Sequence, residues 1–215
     1  MYLPTHFEET QTNVLHELIR SNPLGMLVTS DEKGLDANHI PFLIDAPNAS
    51  APYGTLRAHV ARNNPVWQNQ GEVLVVFQGE EAYISPAWYE EKKLNGAVVP
   101  TYNYAVVHAR GKLRTVDQPE VLLGLLNALT TRFESDRKNP WQVSDAPRDY
   151  IENMMEMIVG IEIPITHITG KWKASQNKST QNRINITNGL RSENTVASIA
   201  MANLMENQLF TTPTK

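Results

Sequence analysis

Two hydrophobic periods divide the chain into predicted strands and predicted helices. Between residues 24 and 116, Val, Ile, Phe and Tyr fall in short runs separated by Gly, Pro, Asn and Asp, which is typical of strands and turns. A later run alternates apolar and polar positions and predicts a strand with one well-buried face. The predicted strands are 24–30, 35–45, 54–60, a hairpin over 72–85 that turns at Gly79, 102–116 and 157–169.

A helical period of apolar residues is found in four other stretches. In the first, Leu15, Leu18 and Ile19 share one face, and in the second Asp117 is the predicted N-cap. The predicted helices are 7–20, 119–133, 147–156 and 192–207. Strands followed by covering helices, without βαβ alternation, indicate an α+β fold that is mainly β.

Local signals complete this description of the chain. Asn64 and Pro65 predict a short helix, with Asn64 as its N-cap and Pro65 at its first position. Pro41 predicts an edge or a bulge within its strand. The polar stretch 170–189 lacks any hydrophobic period and is predicted to be irregular, and the last five residues, TTPTK, are predicted to fray.

Composition excludes several classes of protein. The chain has 215 residues, no cysteine and a formal net charge of −4, so disulfides and cysteine-based zinc sites are excluded and a general polyanion-binding surface is disfavoured. Its N-terminus lacks a basic segment followed by an apolar one, and no run of eighteen apolar residues occurs. We therefore expect a cytoplasmic protein with no membrane segment.

The distribution of charge is more informative than its sum. The stretch 46–71 contains Arg57 and Arg62 and no acidic residue, and the stretch 170–192 contains five cations and no acidic residue. Such basic stretches in an acidic protein predict local anion sites, such as sites for a phosphate group. Arg62 also precedes the predicted short helix, whose backbone N–H groups can contribute to an anion site.

Familiar catalytic motifs are missing from the sequence. The six histidines form no HxxxH or HExxH pattern, and no GxSxG, P-loop or GxGxxG fingerprint occurs. Isolated histidines are usually structural, although His39, His59 and His108 lie on predicted strands beside the polar segments. Three segments are rich in hydrogen-bonding and cationic groups. They are 56–67, 99–111 and 170–177, and ligand binding is one explanation for each. The alternative explanations are solvated surface charge for the first, packing within the sheet for the second and a mobile loop for the third.

Six motifs in this order resemble the PaiB family, the FMN-binding negative transcriptional regulators of bacteria. The motifs are HIPFLID, AHVARNNPVW, VLVVFQGEEAYISPAWY, VPTYNYAVVHARG, IVGIEI and GKWKASQN. The resemblance implies an antiparallel split β-barrel that binds FMN and is covered by several α-helices, similar to the pyridoxamine-phosphate-oxidase-like proteins. It implies a domain over 1–190, followed over 191–215 by a C-terminal helix and tail that pack on that domain or on the partner subunit. A homodimer with flavin at the subunit interface is also implied.

The resemblance further implies two groups of cofactor-binding residues. The first group lies where split-barrel flavoproteins hold the FMN phosphate, and Arg62 is its leading member. The second matches the C-terminal family signature and would reach the partner's flavin. The first group is Arg57, His59, Arg62 and Asn63, and the second is Lys171, Lys173, Ser175, Gln176 and Asn177. No catalytic residue and no metal ligand is assigned.

Three functions are compatible with these residues. The first is a negative transcriptional regulator of the PaiB type, for which direct DNA contact has little support because no clear helix-turn-helix is present. The second is a flavin-dependent oxidoreductase, in which the flavin carries the redox chemistry. The third is a haem-handling relative of the split barrel, with His39, His59 or His108 as axial ligand.

Overall fold

The chain folds into a mostly antiparallel sheet with helices packed on it, as predicted. The computed structural model describes residues 1–69 and 71–211. The strands are β1 Glu8–Glu9, β2 Leu24–Asp31, β3 Gly34–Pro41, β4 Leu43–Asp45, β5 Thr55–Ala61, β6 Glu72–Ile84, β7 Thr101–Lys112, β8 Arg114–Val116 and β9 Ile158–Lys173. The α-helices are α1 Thr12–Ser21, α2 Glu91–Leu94, α3 Pro119–Glu134, α4 Arg148–Glu156, α5 Thr180–Glu193 and α6 Val196–Thr211. Among the described helices, none is long and apolar enough to span a bilayer.

The strand order departs from the chain order because β9, the last strand in sequence, lies between β7 and β5. The order is β3-β2-β6-β7-β9-β5-β4, with β1 and β8 also paired to β9. β2 and β3 pair through Leu24 with Pro41 to Asp31 with Gly34, and β5 pairs along its whole length with the first half of β9. β9 therefore gathers segments from both ends of the sequence, and the sheet stays open.

The chain divides into two compact units that each combine distant segments. Unit 2 contains residues 19–77 and 108–168. In its core the rings of Phe42 and Phe77 meet edge to face, with centroids 5.9 Å apart. The predicted alternation of β9 is confirmed, because its inward-facing residues are buried. A second cluster is formed by Leu122, Leu125 and Leu129 of α3, which pack with partners from β4, α4 and β9.

Unit 1 contains residues 1–18, 78–107 and 169–215. Its core joins β6 to α5 and α6, with Ile84, Ile186, Leu190 and Met205 all fully buried. The two helices are separated at Asn194, which adopts φ 52°, a left-handed conformation that asparagine tolerates at helix ends. The domain boundary predicted at residue 190 falls inside α5, and residues 212–215 of the predicted frayed tail lie outside the described residues.

The predicted hairpin over 72–85 is wrong, because β6 runs without interruption from Glu72 to Ile84. Gly79 is not a turn residue there. A Cβ atom on Gly79 would lie 2.9 Å from Cδ1 of Leu18, so the glycine allows α1 to pack closely on the strand. Close packing, rather than backbone freedom, explains this glycine.

Three predicted boundaries of secondary structure also differ from the structure. The first helix begins at Thr12 rather than residue 7, because Glu8 and Glu9 pair with Lys171 and Gly170 of β9. The strand over 35–45 is split at Phe42, after the Pro41 that had marked it. The helix α3 is capped by Gln118, not by Asp117.

The stretch 170–189 is not irregular. It completes β9, makes a short turn and then forms most of α5, whose first turn is fixed by the Ser179 side chain accepting a hydrogen bond from the backbone N–H of Asn182. Its polar side chains obscured the helical period, and two of them, Asn182 and Thr187, are buried in the structure. In contrast, the predicted short helix at Pro65 is confirmed as a single 3-10 turn, with the Asn64 side chain accepting from the N–H of Val66.

Candidate functional site

The first predicted group, here called the β5 site, consists of Arg57, His59, Arg62 and Asn63. It lies on β5 and the turn after it, within unit 2. Arg57 and His59 alternate with the fully buried Leu56 and Ala58, so the strand holds both side chains on one face. The sequence thus produces the arrangement through a simple two-residue period.

Arg57 is neutralised within the unit. Its Nη2 donates to Oδ1 of Asp45 over 2.7 Å. Its Nε lies 2.6 Å from Oδ2 but makes no hydrogen bond there, so the ion pair rests on one hydrogen bond. The contact follows from the antiparallel pairing of β4 with β5, in which Asp45 opposes Thr55. Both side chains are partly exposed, so the pair contributes roughly 0–1 kcal/mol to stability.

His59 carries a buried polar atom without a partner. Its Nδ1 is shielded from solvent and makes no hydrogen bond within the described part of the chain. Burial lowers the pKa of His59 below its usual value, so the neutral imidazole predominates near pH 7. In the tautomer with its proton on Nδ1, this ring can donate to an oxygen of a bound anion.

Arg62 fastens the turn after β5 to the start of β9. Its Nε donates to the carbonyl of Glu156 over 2.7 Å and its Nη2 to the carbonyl of Ile158 over 2.9 Å. Its backbone N–H donates to the carbonyl of Met157 over 2.8 Å, and the indole of Trp67 donates to its carbonyl. These three contacts to residues 156–158 are here called the Arg62 clasp, and they leave Nη1 for a further acceptor.

The β5 site fits an anionic group with the donors that remain. The unpartnered Nδ1 of His59 and the Nη1 of Arg62 are both available, and Asn63 is exposed on the turn. Arg57 offers its remaining N–H groups while it stays paired with Asp45. This set of neutral and cationic donors suits a phosphate group. Both arginines also make contacts within the protein, Arg57 with Asp45 and Arg62 with two backbone carbonyls.

The second predicted group, here called the β9 site, consists of Lys171, Lys173, Ser175, Gln176 and Asn177. It lies at the end of β9 and in the turn before α5, within unit 1. The two lysines are two residues apart on the strand, so they share a face. This group differs from the first because neither of its lysines pairs with a carboxylate among the described residues, whereas Arg57 pairs with Asp45.

Lys171 is buried with only 7% of its surface exposed. Its Nζ donates to the carbonyl of Tyr2 over 3.0 Å and lies 5.3 Å from the ring centre of Tyr104. A buried ammonium without a carboxylate is expensive, and here backbone and aromatic contacts compensate for it. Lys171 is therefore placed to hold β9 against β7 and the N-terminal segment.

Lys173 is half-buried beside the same tyrosine. Its Nζ donates to Oγ1 of Thr101 and, over 2.6 Å, to the carbonyl of Tyr102, and it lies 6.0 Å from the Tyr104 ring centre. Burial lowers the pKa of Lys173; an electrostatic contribution from Tyr104 partly opposes that shift and Lys171 adds to it. An ammonium has three donors, so one remains for another partner.

The turn after Lys173 is held in a strained conformation. Ser175 has φ 62°, which a residue with a side chain rarely adopts. Its buried hydroxyl lies 3.0 Å from Nδ2 of Asn103, and that amide is itself only 1% exposed. Gln176 accepts from the N–H of Ala174 and donates to the carbonyl of Trp172, so its side chain shapes the turn. Asn177 is exposed.

A cavity of about 220 Å³, here called the β9 cavity, opens beside this turn. Lys173, Ser175 and Asn177 of the second group line it, whereas Lys171 and Gln176 do not. Its other polar lining comes from Thr101, Asn103, Tyr89 and Lys178, and its apolar lining from Phe7, Val99 and Pro100. No Asp or Glu is among these described lining residues.

Sequence reasoning missed the roles of Tyr89, Lys178 and Arg183 in unit 1. The Nζ of Lys178 lies 5.1 Å from the ring centre of Tyr89, which brings a second cation to the β9 cavity. Arg183 is half-buried, and its Nε and Nη2 have no partner in the described part of the chain. Burial lowers the pKa of Arg183. The acid-free stretch 170–192 was the one signal for both cations.

Two further cavities lie outside the predicted groups. One of about 750 Å³ is lined by Trp88, Tyr89, Asn185, Asn188 and Gly189 of unit 1, together with neighbouring residues. Another of about 640 Å³ lies between α3 and α4 of unit 2. No cluster of three His, Cys, Asp or Glu residues suited to a metal ion is found within residues 1–69 and 71–211.

Comparison with known proteins gives a family and a fold. The family model described as "Putative FMN-binding domain" matches residues 1–167. The chain is 31% identical to "Protease synthase and sporulation protein PAI 2" of Bacillus subtilis, over 97% of this chain and 98% of that protein. It is 36% identical to an uncharacterized protein of Emericella nidulans, over 95% and 96% of the two chains. The predicted PaiB-type family and its cofactor class, FMN, are thereby confirmed.

Solved structures agree on the fold. The "FAD and Heme binding protein" of Mycobacterium smegmatis superposes with a TM-score of 0.58 at 14% identity, covering 82% of this chain and 78% of that chain. A flavocytochrome of Azotobacter vinelandii superposes with a TM-score of 0.55 at 9% identity, covering 77% and 69%. At such identities the match concerns architecture alone, and it confirms the predicted split-barrel fold class.

Proposed function

The chain belongs to the FMN-binding domain family, and on this premise we propose that it binds FMN and acts as a negative regulator of gene expression. The observation that carries the proposal is that one family model covers residues 1–167 and that a relative of nearly equal length carries the name of a sporulation protein. FMN when bound would supply electron and hydride transfer chemistry, and the protein would supply orientation and electrostatics.

In this proposal the β5 site holds the phosphate of FMN. The unpartnered Nδ1 of His59 supports the assignment, because a buried polar atom without a partner is rare and costs free energy in the absence of a ligand. Arg62 contributes its free Nη1 and holds the turn in place through the Arg62 clasp. Arg57 and Asn63 complete the set. A homodimer with flavin at the subunit interface is the arrangement that the resemblance favours.

Regulation in this proposal does not depend on a basic helix that enters DNA. In their described parts the two C-terminal helices contain two cations, Arg183 and Arg191. Arg191 donates to Glu206 over 2.6 Å and Arg183 is half-buried. A change of gene expression would then follow from the flavin or a small ligand rather than from a recognition helix. Specific DNA affinity that falls steeply with added salt would contradict this indirect mode.

Comparing FMN with riboflavin tests the cofactor and its phosphate site together. Flavin fluorescence quenching is titrated with both ligands, which differ only by the phosphate group. We expect FMN to bind at least about tenfold more tightly, because charge-assisted hydrogen bonds contribute roughly 1.5–3 kcal/mol. The variant Arg62→Met should reduce FMN affinity toward that of riboflavin while riboflavin affinity stays unchanged.

The matched control is Arg114→Met, which removes an exposed guanidinium from β8 of the same unit. It should leave both affinities unchanged. Equal affinity for FMN and riboflavin in the unaltered protein would refute the phosphate site. The absence of any flavin binding would refute the proposed function itself.

A flavin-dependent oxidoreductase is the second candidate, and the β9 cavity favours it. A polar cavity lined by two lysines is suited to a second small molecule in addition to a cofactor. Anaerobic addition of NADPH to the FMN-loaded protein tests this candidate. Loss of the flavin absorbance within seconds would support it, and an unchanged spectrum would leave regulation as the better proposal.

A further inference from the structure

We propose that the β9 cavity is a binding site for a small oxyanion, such as inorganic phosphate or a simple carboxylate, separate from the phosphate of FMN. Lys173 and Lys178 supply positive charge from the two sides of one turn, and Thr101 supplies a hydroxyl. The site lies entirely within unit 1. It requires neither the β5 site nor bound flavin.

Charge is the first reason for this inference. Two ammonium groups line the cavity, and the described lining contains no carboxylate to neutralise them. The pKa of Glu91 is lowered by its own backbone N–H, by the Asn182 amide and by Lys178, so this carboxylate interacts electrostatically with one of the two lysines. Asn182 donates to both Glu91 oxygens, at 3.0 and 2.9 Å, so this carboxylate is already engaged outside the cavity.

Unused hydrogen-bond donors are the second reason. Two of the three N–H groups of Lys173 bond to Thr101 and to the carbonyl of Tyr102, which leaves one donor. The Thr101 hydroxyl accepts from Lys173, so its own proton is available to another acceptor. The Nζ of Lys178 is held over the ring of Tyr89, a contact that leaves all three of its N–H groups available. An oxyanion is the ligand that accepts from all of these groups at once.

The buried polar wall is the third reason. Ser175 and Asn103 are 4% and 1% exposed, and they hydrogen-bond to each other at the cavity's edge. Ser175 is kept there with φ 62°, a conformation that costs free energy and that surrounding contacts must enforce. A rigid and polar wall of this kind provides preorganisation, which lowers the entropy cost of binding.

Size restricts the ligand. Clefts for drug-sized ligands span roughly 300–1,000 Å³, and the β9 cavity of about 220 Å³ is smaller. A whole flavin mononucleotide does not match this volume, whereas phosphate or a short carboxylate does. The apolar side formed by Phe7, Val99 and Pro100 would accommodate a short hydrocarbon portion of a carboxylate.

Isothermal titration calorimetry with inorganic phosphate tests the proposal on the full chain, with acetate in a parallel titration. Both FMN-free and FMN-loaded protein are used at constant ionic strength. We expect one site per chain in the FMN-loaded form and a second one in the FMN-free form, because the empty β5 site also accepts phosphate. The variant Lys173→Met should weaken phosphate binding by about tenfold, because it removes a charge-assisted hydrogen bond. The variant Lys178→Met should weaken it by a smaller factor.

The control variant is Lys112→Met, which removes an exposed lysine at the end of β7 in unit 2. The phosphate affinity of this variant should be unchanged. Thermal melting checks that each variant is folded. Absence of phosphate and acetate binding in the unaltered protein would overturn the proposal. Binding that disappears on FMN loading would also overturn it, because the cavity would then serve the flavin's own phosphate or lie under the flavin.

Failure here is distinguishable from failure of the proposed function. Flavin titration reports on the β5 site, and phosphate calorimetry of the FMN-loaded protein reports on the β9 cavity. In FMN-free protein, Arg62→Met and Lys173→Met assign phosphate binding to one site or the other. If Lys112→Met weakens phosphate binding as much as Lys173→Met does, the binding is non-specific and the β9 cavity is not an anion site.

Discussion

The β5 site and the β9 site look alike in sequence and differ in structure. Each lies in a stretch of chain that has several cations and no acidic residue. At the β5 site, Arg57 pairs with a carboxylate and Arg62 donates to two carbonyls. At the β9 site, Lys171 and Lys173 contact only carbonyls, a hydroxyl and aromatic rings among the partners described above. The two stretches, with two and five cations respectively, therefore also differ in how available those cations are for a ligand.

The reason is the geometry of strand pairing. Asp45 lies one residue before the acid-free stretch that contains Arg57, and the antiparallel pairing of β4 with β5 returns it to the arginine. A sequence window cannot detect an acid that approaches from a neighbouring strand. The carbonyls to which Arg62 donates belong to residues more than ninety positions away, so a sequence window around Arg62 does not contain them either.

The largest expected effect concerns the packing that supports the β9 site. A Cβ atom on Gly170 would lie 2.2 Å from Cδ2 of the buried Leu15 and 2.7 Å from the Trp172 ring. We expect Gly170→Ala to lower the free energy of unfolding by about 3 kcal/mol because the overpacked side chains have little room to move. It should also abolish phosphate binding at the β9 cavity. Urea denaturation and calorimetry measure the two effects.

Gly124→Ala is the matched control, since nothing lies within 4 Å of the added Cβ on α3. The free energy of unfolding of that variant should rise by roughly 0.5–1 kcal/mol, because alanine is a better helix former than glycine. If Gly170→Ala proves as stable as the unaltered protein, the β9 site does not depend on this close packing.

The second effect tests whether Arg62 is a structural residue as well as a ligand-binding one. We expect Arg62→Met to lower the free energy of unfolding by about 1–2 kcal/mol, because it deletes two hydrogen bonds from a charged donor at an exposed position. Arg114→Met, without a comparable contact, should change it by less than about 0.5 kcal/mol. Equal stability of both variants in urea would mean that the Arg62 clasp is dispensable for the fold.

The third effect separates the two sites by pH. The lowered pKa of Lys173 means that the β9 cavity loses positive charge below the ordinary lysine value of 10.5, whereas the guanidinium groups of the β5 site stay charged. Phosphate affinity at the β9 cavity should fall severalfold as the pH rises through that lowered value. The ratio of FMN to riboflavin affinity should stay constant over the same range.

The free energy of unfolding should change with pH in the opposite direction to the phosphate affinity. Between the lowered pKa and the ordinary one, the unfolded chain keeps a proton that folded Lys173 has lost, so the free energy of unfolding rises with pH. The variant Lys173→Arg should remove the pH dependence of phosphate binding that Lys173 causes. A phosphate affinity that stays flat toward pH 10 in the unaltered protein would exclude Lys173 as the titrating group.

The smallest effect would make the β5 site more like the β9 site. Asp45→Asn removes the carboxylate from Arg57 and should cost less than about 1 kcal/mol of stability, because the pair is partly exposed. It should raise FMN affinity about two- to threefold by releasing the guanidinium. The control Glu72→Gln removes the 3.9 Å pair with Arg110 and should leave affinity unchanged. A fall in FMN affinity with Asp45→Asn would show that Asp45 orients Arg57 for the ligand.

Much of the fold follows from the sequence because β-period and helix-period patterns are strong at buried positions. β9 illustrates this, since its alternating Val and Ile residues were predicted to be buried and are buried. The predictions failed where one residue type serves two purposes. Gly79 resembled a turn and instead permits close packing, and α5 was hidden because Ile186 and Leu190 are its chief apolar core contacts.

For the candidate sites, the sequence located charge but not its partners. The stretch 170–177 was predicted to face a ligand, and three of its five selected residues line the β9 cavity. Whether the selected residues bind FMN stays a prediction. The role of Lys178 depends on Tyr89, which lies almost ninety residues earlier, and no local pattern connects the two.

The Arg62 clasp has a consequence for the order in which the protein is made. The turn after β5 is synthesised early, yet the three contacts of the Arg62 clasp go to residues 156–158. β5 likewise awaits the first half of β9 as its partner strand. Contacts of such long sequence separation form slowly. A growing chain therefore exposes the edge of β5 that faces β9 until β9 has left the ribosome, and an unpaired strand edge is a template for pairing with another chain.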